Sequence, residues 1–325
     1  MAKVDVSIVV PSLRGDIFLK PLLDSLLNQS KEVTFEVIIC NDSDHPFDLS
    51  FWEDKMDLKQ IILKEHHGPS YGRNKGVEAA RGTLIAFLDD DVYVDPSWLE
   101  EGYSSFENNA LVALAGKTII PNIKKPSAFR HGMQNTGEGY PTCNFWVRRD
   151  VFLSIGGFSL DYFDPKTRIF HHEDSDLAYR LMKHGQVVYA ENVLAFHPEH
   201  SFSWLMPFRK AKKSLFDLRL WQKYPMEYKE LTTHYGIPFA RVIIRLLVVL
   251  LGLFSIFIWF LSKPLSLCFL ACSFLLVLPS FFRYRLEKPV IFTGFWLPFV
   301  EWLACYIFIY YFIKGFGFID KGACR

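Results

Sequence analysis

Hydrophobic and polar positions follow two different rhythms along this chain. Up to about residue 200, short apolar runs alternate with polar turns and with stretches of helical spacing. From residue 239 to 313 the sequence is almost continuously apolar. In the first part, residues 4–11 read as a strand that ends at Pro11. Residues 18–29 place apolar side chains at 18, 19, 22, 23, 26 and 27, the spacing of an amphipathic helix. Residues 35–40 form a second predicted strand, stopped by Asn41-Asp42-Ser43-Asp44, and residues 60–63 a short third one. A helix is predicted over 70–81, with Ser70 as N-cap and Gly82 past its end. Residues 83–88 are then a buried strand. This alternation argues for a mostly parallel sheet covered by helices, the architecture of a nucleotide-binding half. Beyond it lie an apolar run at 110–120, a Gly/Pro/Asn-rich loop at 121–140, a helix at 173–185 and extended segments at 187–190 and 193–196.

The second part differs in kind. Trp204, Phe208, Ala211, Leu215 and Leu218 follow helical spacing, with Arg209, Lys210, Lys212, Lys213, Arg219 and Lys223 on the other faces. A basic amphipathic helix with aromatics reads as lying on a membrane surface, with an ordinary packed surface helix as the lesser alternative. The neighbouring apolar block favours the membrane. Three spans are expected, at 239–261, 265–282 and 290–313, the last carrying Glu301, which at membrane depth must face protein or water. The domains are therefore expected at 1–200, 201–236 and 237–325. Arg241, Arg245 and the basic loop 283–288 put the N-terminal domain in the cytoplasm by the positive-inside rule, on a multi-pass protein of the plasma or inner membrane.

Composition adds little to this. A net charge of +1 gives no basic footprint for nucleic acid, and no nucleic-acid partner is expected. The six cysteines show no CxxC pairing, which fits a reducing compartment rather than a zinc site or a disulfide framework. Residues 4–10 contain Asp5 and Ser7, unlike the apolar core of a secretion signal.

The candidate chemistry sits where predicted strands end. Asp89-Asp90-Asp91 follows the strand at 83–88, and strand ends at the carboxyl edge of an open α/β sheet are where ligands bind. Three adjacent carboxylates repel one another and invite a divalent cation, which often carries phosphate; a solvated acidic turn explains the triplet equally well. Continued strand alternation would point Asp89 and Asp91 one way and Asp90 the other, so Asp90→Ala is expected to cost less activity than Asp91→Ala. Asp42 is placed to accept from a ribose or base N–H, or to cap a turn. Arg73, in a Gly-flanked stretch, can pair with a diphosphate, or the stretch simply caps and packs a helix. His171, His172, Glu173 and Asp174 form a second acidic and imidazole cluster that can hold a general base, with helix capping as the plain alternative. His197 is a metal ligand or a satisfied histidine.

Seven motifs in order resemble inverting glycosyltransferases of family 2: Ser7-Ile-Val-Val-Pro11, Cys40-Asn-Asp-Ser43, Gly72-Arg-Asn-Lys-Gly76, Phe87-Leu-Asp-Asp-Asp91, Gly156-Gly-Phe158, His172-Glu-Asp-Ser-Asp-Leu177 and Val193-Leu-Ala-Phe-His-Pro198. The resemblance covers roughly residues 5–200. It implies an α/β, Rossmann-like GT-A domain, here followed by an amphipathic interfacial helix and C-terminal transmembrane helices. It implies a nucleotide-diphosphate sugar as donor and Mg2+ or Mn2+ as cofactor. Donor contacts are implied at Pro11, Ser12, Asp42, Arg73, Asp89 and Asp90, and metal ligands at Asp91, Asp89 and His197. Asp174 is implied as catalytic base with Glu173 as its rival, and Trp146 and His172 as acceptor-binding residues. Asn41-Asp42-Ser43-Asp44 departs from the family, which often has two acids followed by Gly-Ser.

The expected function is hexosyl transfer to a hydroxyl of a lipid-linked or membrane-proximal glycan, with membrane lipids as partners. Transfer onto a polyprenyl phosphate is the alternative reaction. A non-catalytic nucleotide-sugar-binding scaffold is the alternative of another class.

Overall fold

A computed structural model describes residues 3–64, 66–121, 133–137, 139–199, 203, 205–234, 238–277 and 290–319. The chain divides after Glu199 into two compact units.

The first unit begins with β1 (Val6–Ser12), α1 (Asp16–Leu26), β2 (Phe35–Asn41), the short α2 (Ser50–Glu53), β3 (Leu58–Ile62), α3 (Pro69–Glu78) and β4 (Leu84–Leu88). These four strands pair in parallel in the order β3-β2-β1-β4. β1, β2 and β4 consist almost entirely of buried apolar residues, because helices cover the sheet. Leu19, Leu22, Leu23 and Leu26 of α1 pack on one face, joined by Val6, Ile8 and Val10. On the other face Val77 of α3 meets Val9, Ile38 and Cys40. Glu36 is buried within β2 and fully paired: it accepts from Ser7 Oγ (2.6 Å), Lys59 Nζ (3.1 Å), the Arg81 amide (2.7 Å) and Arg81 Nε (2.9 Å). Burial alone would push its carboxyl up, but these donors hold it below the ordinary glutamate value.

The expectation of a mostly parallel sheet fails in the second half. After β5 (Tyr93–Val94), α4 (Trp98–Ser105) and β6 (Leu111–Ile119) comes β7 (Asn144–Arg148), which inserts antiparallel between β4 and β6. Then follow α5 (Arg149–Ser154), β8 (Phe163–Asp164), β9 (Ile169–Phe170), α6 (Glu173–Leu181) and β10 (Gln186–Phe196). The eight-stranded mixed sheet runs β3-β2-β1-β4-β7-β6-β10-β5, with β8 and β9 as a separate hairpin. The two extended segments expected at 187–196 are one strand with a register shift between Ala190 and Leu194. The carboxyl ends of β1 and β4 sit side by side at the centre, where the chain winds outward in both directions.

Trp146, expected at the acceptor, is instead a core residue of β7. It is 0 % exposed, lies 4.7 Å from the Trp98 ring and faces Gly102. An inward position on a central strand leaves no surface for a substrate.

The second unit contains α7 (Met206–Lys212), α8 (Asp217–Lys223), α9 (Pro225–His234), α10 (Pro238–Trp259), α11 (Lys263–Leu275) and α12 (Val290–Ile319). The single basic helix expected over 201–223 is broken by a 3-10 turn at Lys213–Leu215. Its apolar face packs on protein: Ser214 Oγ donates to Phe308 O of α12 (2.8 Å), and Ala211 joins Val248, Ala304 and Phe308 in one cluster. Among the described residues one stretch, Val242–Trp259, is long and apolar enough to cross a membrane; Lys263–Leu275 is shorter. Residues 278–289, which include the end of the second expected span and the basic loop, lie outside the described residues. Glu301 is half-buried in α12 and is felt by Lys210 of α7. Burial pulls that ammonium below its ordinary value, and Glu301 opposes the shift.

Candidate active site

The acidic triplet is not a strand extension. β4 stops at Leu88, and the chain turns, with the Val92 amide donating to Asp89 O (3.4 Å). The alternation expected for Asp89, Asp90 and Asp91 therefore does not hold: Asp90 and Asp91 share one cation, and Asp89 has another. The turn eases the repulsion that an extended triplet would carry, because it sends Asp89 to one arginine and Asp90 and Asp91 to another. Arg73 Nη2 donates to Asp89 Oδ1 (2.7 Å). Arg14, just past β1, reaches the Oδ1 of Asp90 through Nη2 and the Oδ2 of Asp91 at 2.8 Å. Ser12, the last residue of β1, donates its hydroxyl to Asp90 Oδ2 (2.8 Å), while Pro11 beside it lies against Gly72. Burial pushes the Asp90 carboxyl up against the pull of Arg14 and Ser12. For Arg14, burial acts downward and the two carboxylates more than reverse it.

Arg14 was invisible in the sequence. It lies 76 residues from Asp90, and only the adjacency of β1 and β4 brings the two together.

His197 follows β10, and its Nε2 lies 3.7 Å from Asp91 Oδ1. Its Nδ1 donates to Pro198 O (2.9 Å), since a carbonyl can only accept. That bond turns Nε2 toward the carboxylate. An imidazole nitrogen and a carboxylate at this separation can share a divalent cation. Asp89 is held by Arg73.

Arg73 is 3 % exposed, and its Nε and Nη1 have no hydrogen-bond partner among the described residues. Buried donors left unpaired are costly, and an anionic ligand is the kind of partner they lack. Gly76 lets α3 come this close to the sheet, because a Cβ there would press on Cys40 Sγ at 2.8 Å. Asn74 fixes the Gly156-Gly-Phe158 turn from the same helix: its Oδ1 accepts from the Phe158 amide (2.8 Å) and its Nδ2 donates to Phe158 O (2.9 Å). Phe158 then lies under the Arg73 guanidinium, 5.5 Å away.

Asp42 follows β2, and its carboxylate accepts from the amides of His67 and Gly68, each at 3.1 Å. Gly68, at φ 81°, is the residue from which α3 starts. Asp42 thus anchors the entry to the helix that carries Arg73.

The second acidic cluster opens α6. His172 takes the left-handed conformation, φ 69°, and stacks on His171 at 3.8 Å. Such a conformation costs a non-glycine residue on the order of 1–3 kcal/mol and is found where a site requires it. Asp176 is fully buried and pairs with Arg180 (2.9 Å), which also donates to Ile155 O (3.0 Å). Glu173 is buried, whereas Asp174 is half-buried and accepts from the Ser175 amide (2.7 Å). Cys143 lies buried just before β7. Burial pushes its thiol well above the ordinary value, and Asp89 and Asp174 both push it further. Both carboxylates therefore lie within electrostatic range of one thiol.

The chain is similar to known proteins in sequence and in fold. Residues 7–165 match the profile described as Glycosyl transferase family 2. A glucosyl-dolichyl phosphate glucuronosyltransferase of Haloferax volcanii is 26 % identical over 210 residues, 57 % of this chain and 66 % of that protein. The O-antigen biosynthesis protein RfbC of Myxococcus xanthus is 34 % identical over 225 residues, 60 % of this chain but 17 % of its own length. In neither does the match reach two thirds of the relative. Among solved structures, the mannosyltransferase PcManGT of Pyrobaculum calidifontis, with GDP-Man and Mn2+, superposes with a TM-score of 0.55 at 12 % identity, covering 100 % of this chain and 89 % of that one. That likeness concerns the fold, a GT-A-like Rossmann arrangement with a mixed sheet.

Proposed function

We propose that this chain, which belongs to glycosyl transferase family 2, moves a sugar with inversion from a nucleotide-diphosphate donor to a hydroxyl of a lipid-linked or membrane-proximal glycan. One observation carries the reading: the acids after β4 are clad in arginines, beside a buried Arg73 whose Nε and Nη1 lack a hydrogen-bond partner among the described residues, while a separate acidic cluster opens α6 with the half-buried Asp174. Inverting transfer needs this division. The bond from the anomeric carbon to the donor phosphate breaks and leaves negative charge on the diphosphate. Arg73, with its unpaired Nε and Nη1, is placed to take that charge. Asp91 and His197, with Asp89 nearby, would hold Mg2+ or Mn2+, which when bound neutralises the diphosphate. Asp174 takes the proton of the acceptor hydroxyl as it attacks from the opposite face. Its greater exposure favours it over Glu173 for meeting an incoming hydroxyl. Pro11, Ser12 and Asp42 line the same sheet edge on the donor side, and His172 lies beside the base on the acceptor side.

A lipid-linked acceptor draws on two supports. The first is the name of the Haloferax relative, which places its substrate on dolichyl phosphate. The second is the outward apolar surface of the second unit: Leu250, Leu253, Ile256 and Phe257 of α10 are exposed, which suits lipid rather than water. We place the protein at the membrane with the catalytic unit on the cytoplasmic side, following the basic residues at 241, 245 and 283–288.

The test is product analysis with the purified chain, Mn2+ and a panel of nucleotide sugars. An inverted glycoside on a lipid-linked glycan is expected. A lipid-phosphate monosaccharide as sole product would replace this reading with the polyprenyl-phosphate one.

A further inference from the structure

Arg14 has no role in the transfer just described, yet it grips the carboxylate that the cation needs. Its Nη2 lies 2.8 Å from Asp91 Oδ2, while His197 Nε2 lies 3.7 Å from Oδ1 of the same group. The guanidinium also bonds Asp90 through both Nε (3.3 Å) and Nη2, so it forks across the acidic pair. Its side chain is 35 % exposed and its plane lies 4.6 Å over the Phe18 ring, so it is held from one side and open to solvent on the other. Arg73, by contrast, is buried and is committed to Asp89.

We infer that Arg14 is a built-in competitor for the divalent cation at Asp91 and His197, and that it sets how tightly the site takes that cation. The inference rests on the donor-and-cation reading above. Two positive charges at one carboxylate repel, so the cation gains Asp91 only by weakening the hold of Arg14. Asp90 and Ser12 serve as the second grip of the competitor, which explains why Asp90 is buried and paired rather than solvated. The exposed edge and the Phe18 ring give the guanidinium a place to swing from without unpacking the core.

The test is Mn2+ binding to the full-length protein in detergent, followed by electron paramagnetic resonance, with wild type, Arg14→Met and Arg14→Lys. Removal of the competitor should tighten Mn2+ binding by about tenfold in Arg14→Met, within the usual range of site-to-site coupling. Arg14→Lys keeps the charge but cannot fork across two carboxylates, so its gain should be smaller and of the same sign. It carries the test if the methionine variant does not fold. Wild type and variants binding Mn2+ equally, or variants binding it more weakly, would overturn the role of Arg14 alone. No bound Mn2+ in any of the three, with or without UDP or GDP, would overturn the donor-and-cation reading and this inference with it.

Discussion

The turn after β4 and the first turn of α6 are both acidic, but they are clad differently. Asp89, Asp90 and Asp91 meet two arginines, one serine and one histidine. Asp174 accepts from the Ser175 amide of its own helix, while its neighbour Asp176 takes Arg180. Carboxylates bonded to guanidinium groups are places where one positive charge can be exchanged for another. The difference separates a cluster bound by arginines from one whose half-buried carboxylate rests on its own helix's amide, the division that the proposed transfer uses.

The sharpest way to break that comparison is at Asp174. Asp174→Asn should lower kcat by about 10³, the usual worth of a general base, with little change in the thermal midpoint. Steady-state rates and a melting curve check both. Arg73→Ala should lower kcat by about 10², because it removes donors from the leaving group rather than the base. The same substitution leaves Asp89 unpaired, so the rate must be read beside the melting curve. Asp90→Ala tests the corrected geometry of the triplet. It should destabilise the protein by about 1–3 kcal/mol in urea unfolding, since Arg14 and Ser12 lose a shared partner. The smallest effect concerns pH. Glu36 titrates below its ordinary value of 4.5 in the folded protein, so its contribution to stability is present above about that pH and is lost as pH falls through the lower folded value. Glu36→Gln should therefore flatten the fall of the melting temperature on acidification, while wild type keeps the steeper slope.

How much of this could be read from residues depended on range. β1, β2 and β4 were legible because helices cover both faces and leave continuous apolar runs. β7 was not: Asn144–Arg148 is five residues long, follows an irregular stretch and pairs antiparallel with strands about 30 to 60 residues earlier in the chain. Missing that strand turned Trp146 from a core residue into a substrate contact. The triplet was placed at the right edge, but strand alternation was carried past Leu88, where the chain has already turned. Asp174 and His197 could be singled out from their motifs, whereas Arg14 depended on the pairing of β1 with β4.

The second unit reverses the first in its surfaces. Leu22, Ile39 and Phe87 are buried in the α/β unit, whereas Leu253, Phe257 and Phe260 of the helical unit face outward. Periodicity alone located both apolar sets, and only the structure shows which of them the protein itself covers.

The most direct measurement of the division of labour pairs Asp174→Asn with Asp91→Asn and follows two signals, Mn2+ binding in the presence of the donor and sugar transfer. The account predicts that Asp174→Asn keeps Mn2+ binding and loses transfer, and that Asp91→Asn loses both. Retained transfer in Asp91→Asn, or Mn2+ binding lost in a folded Asp174→Asn, would contradict it.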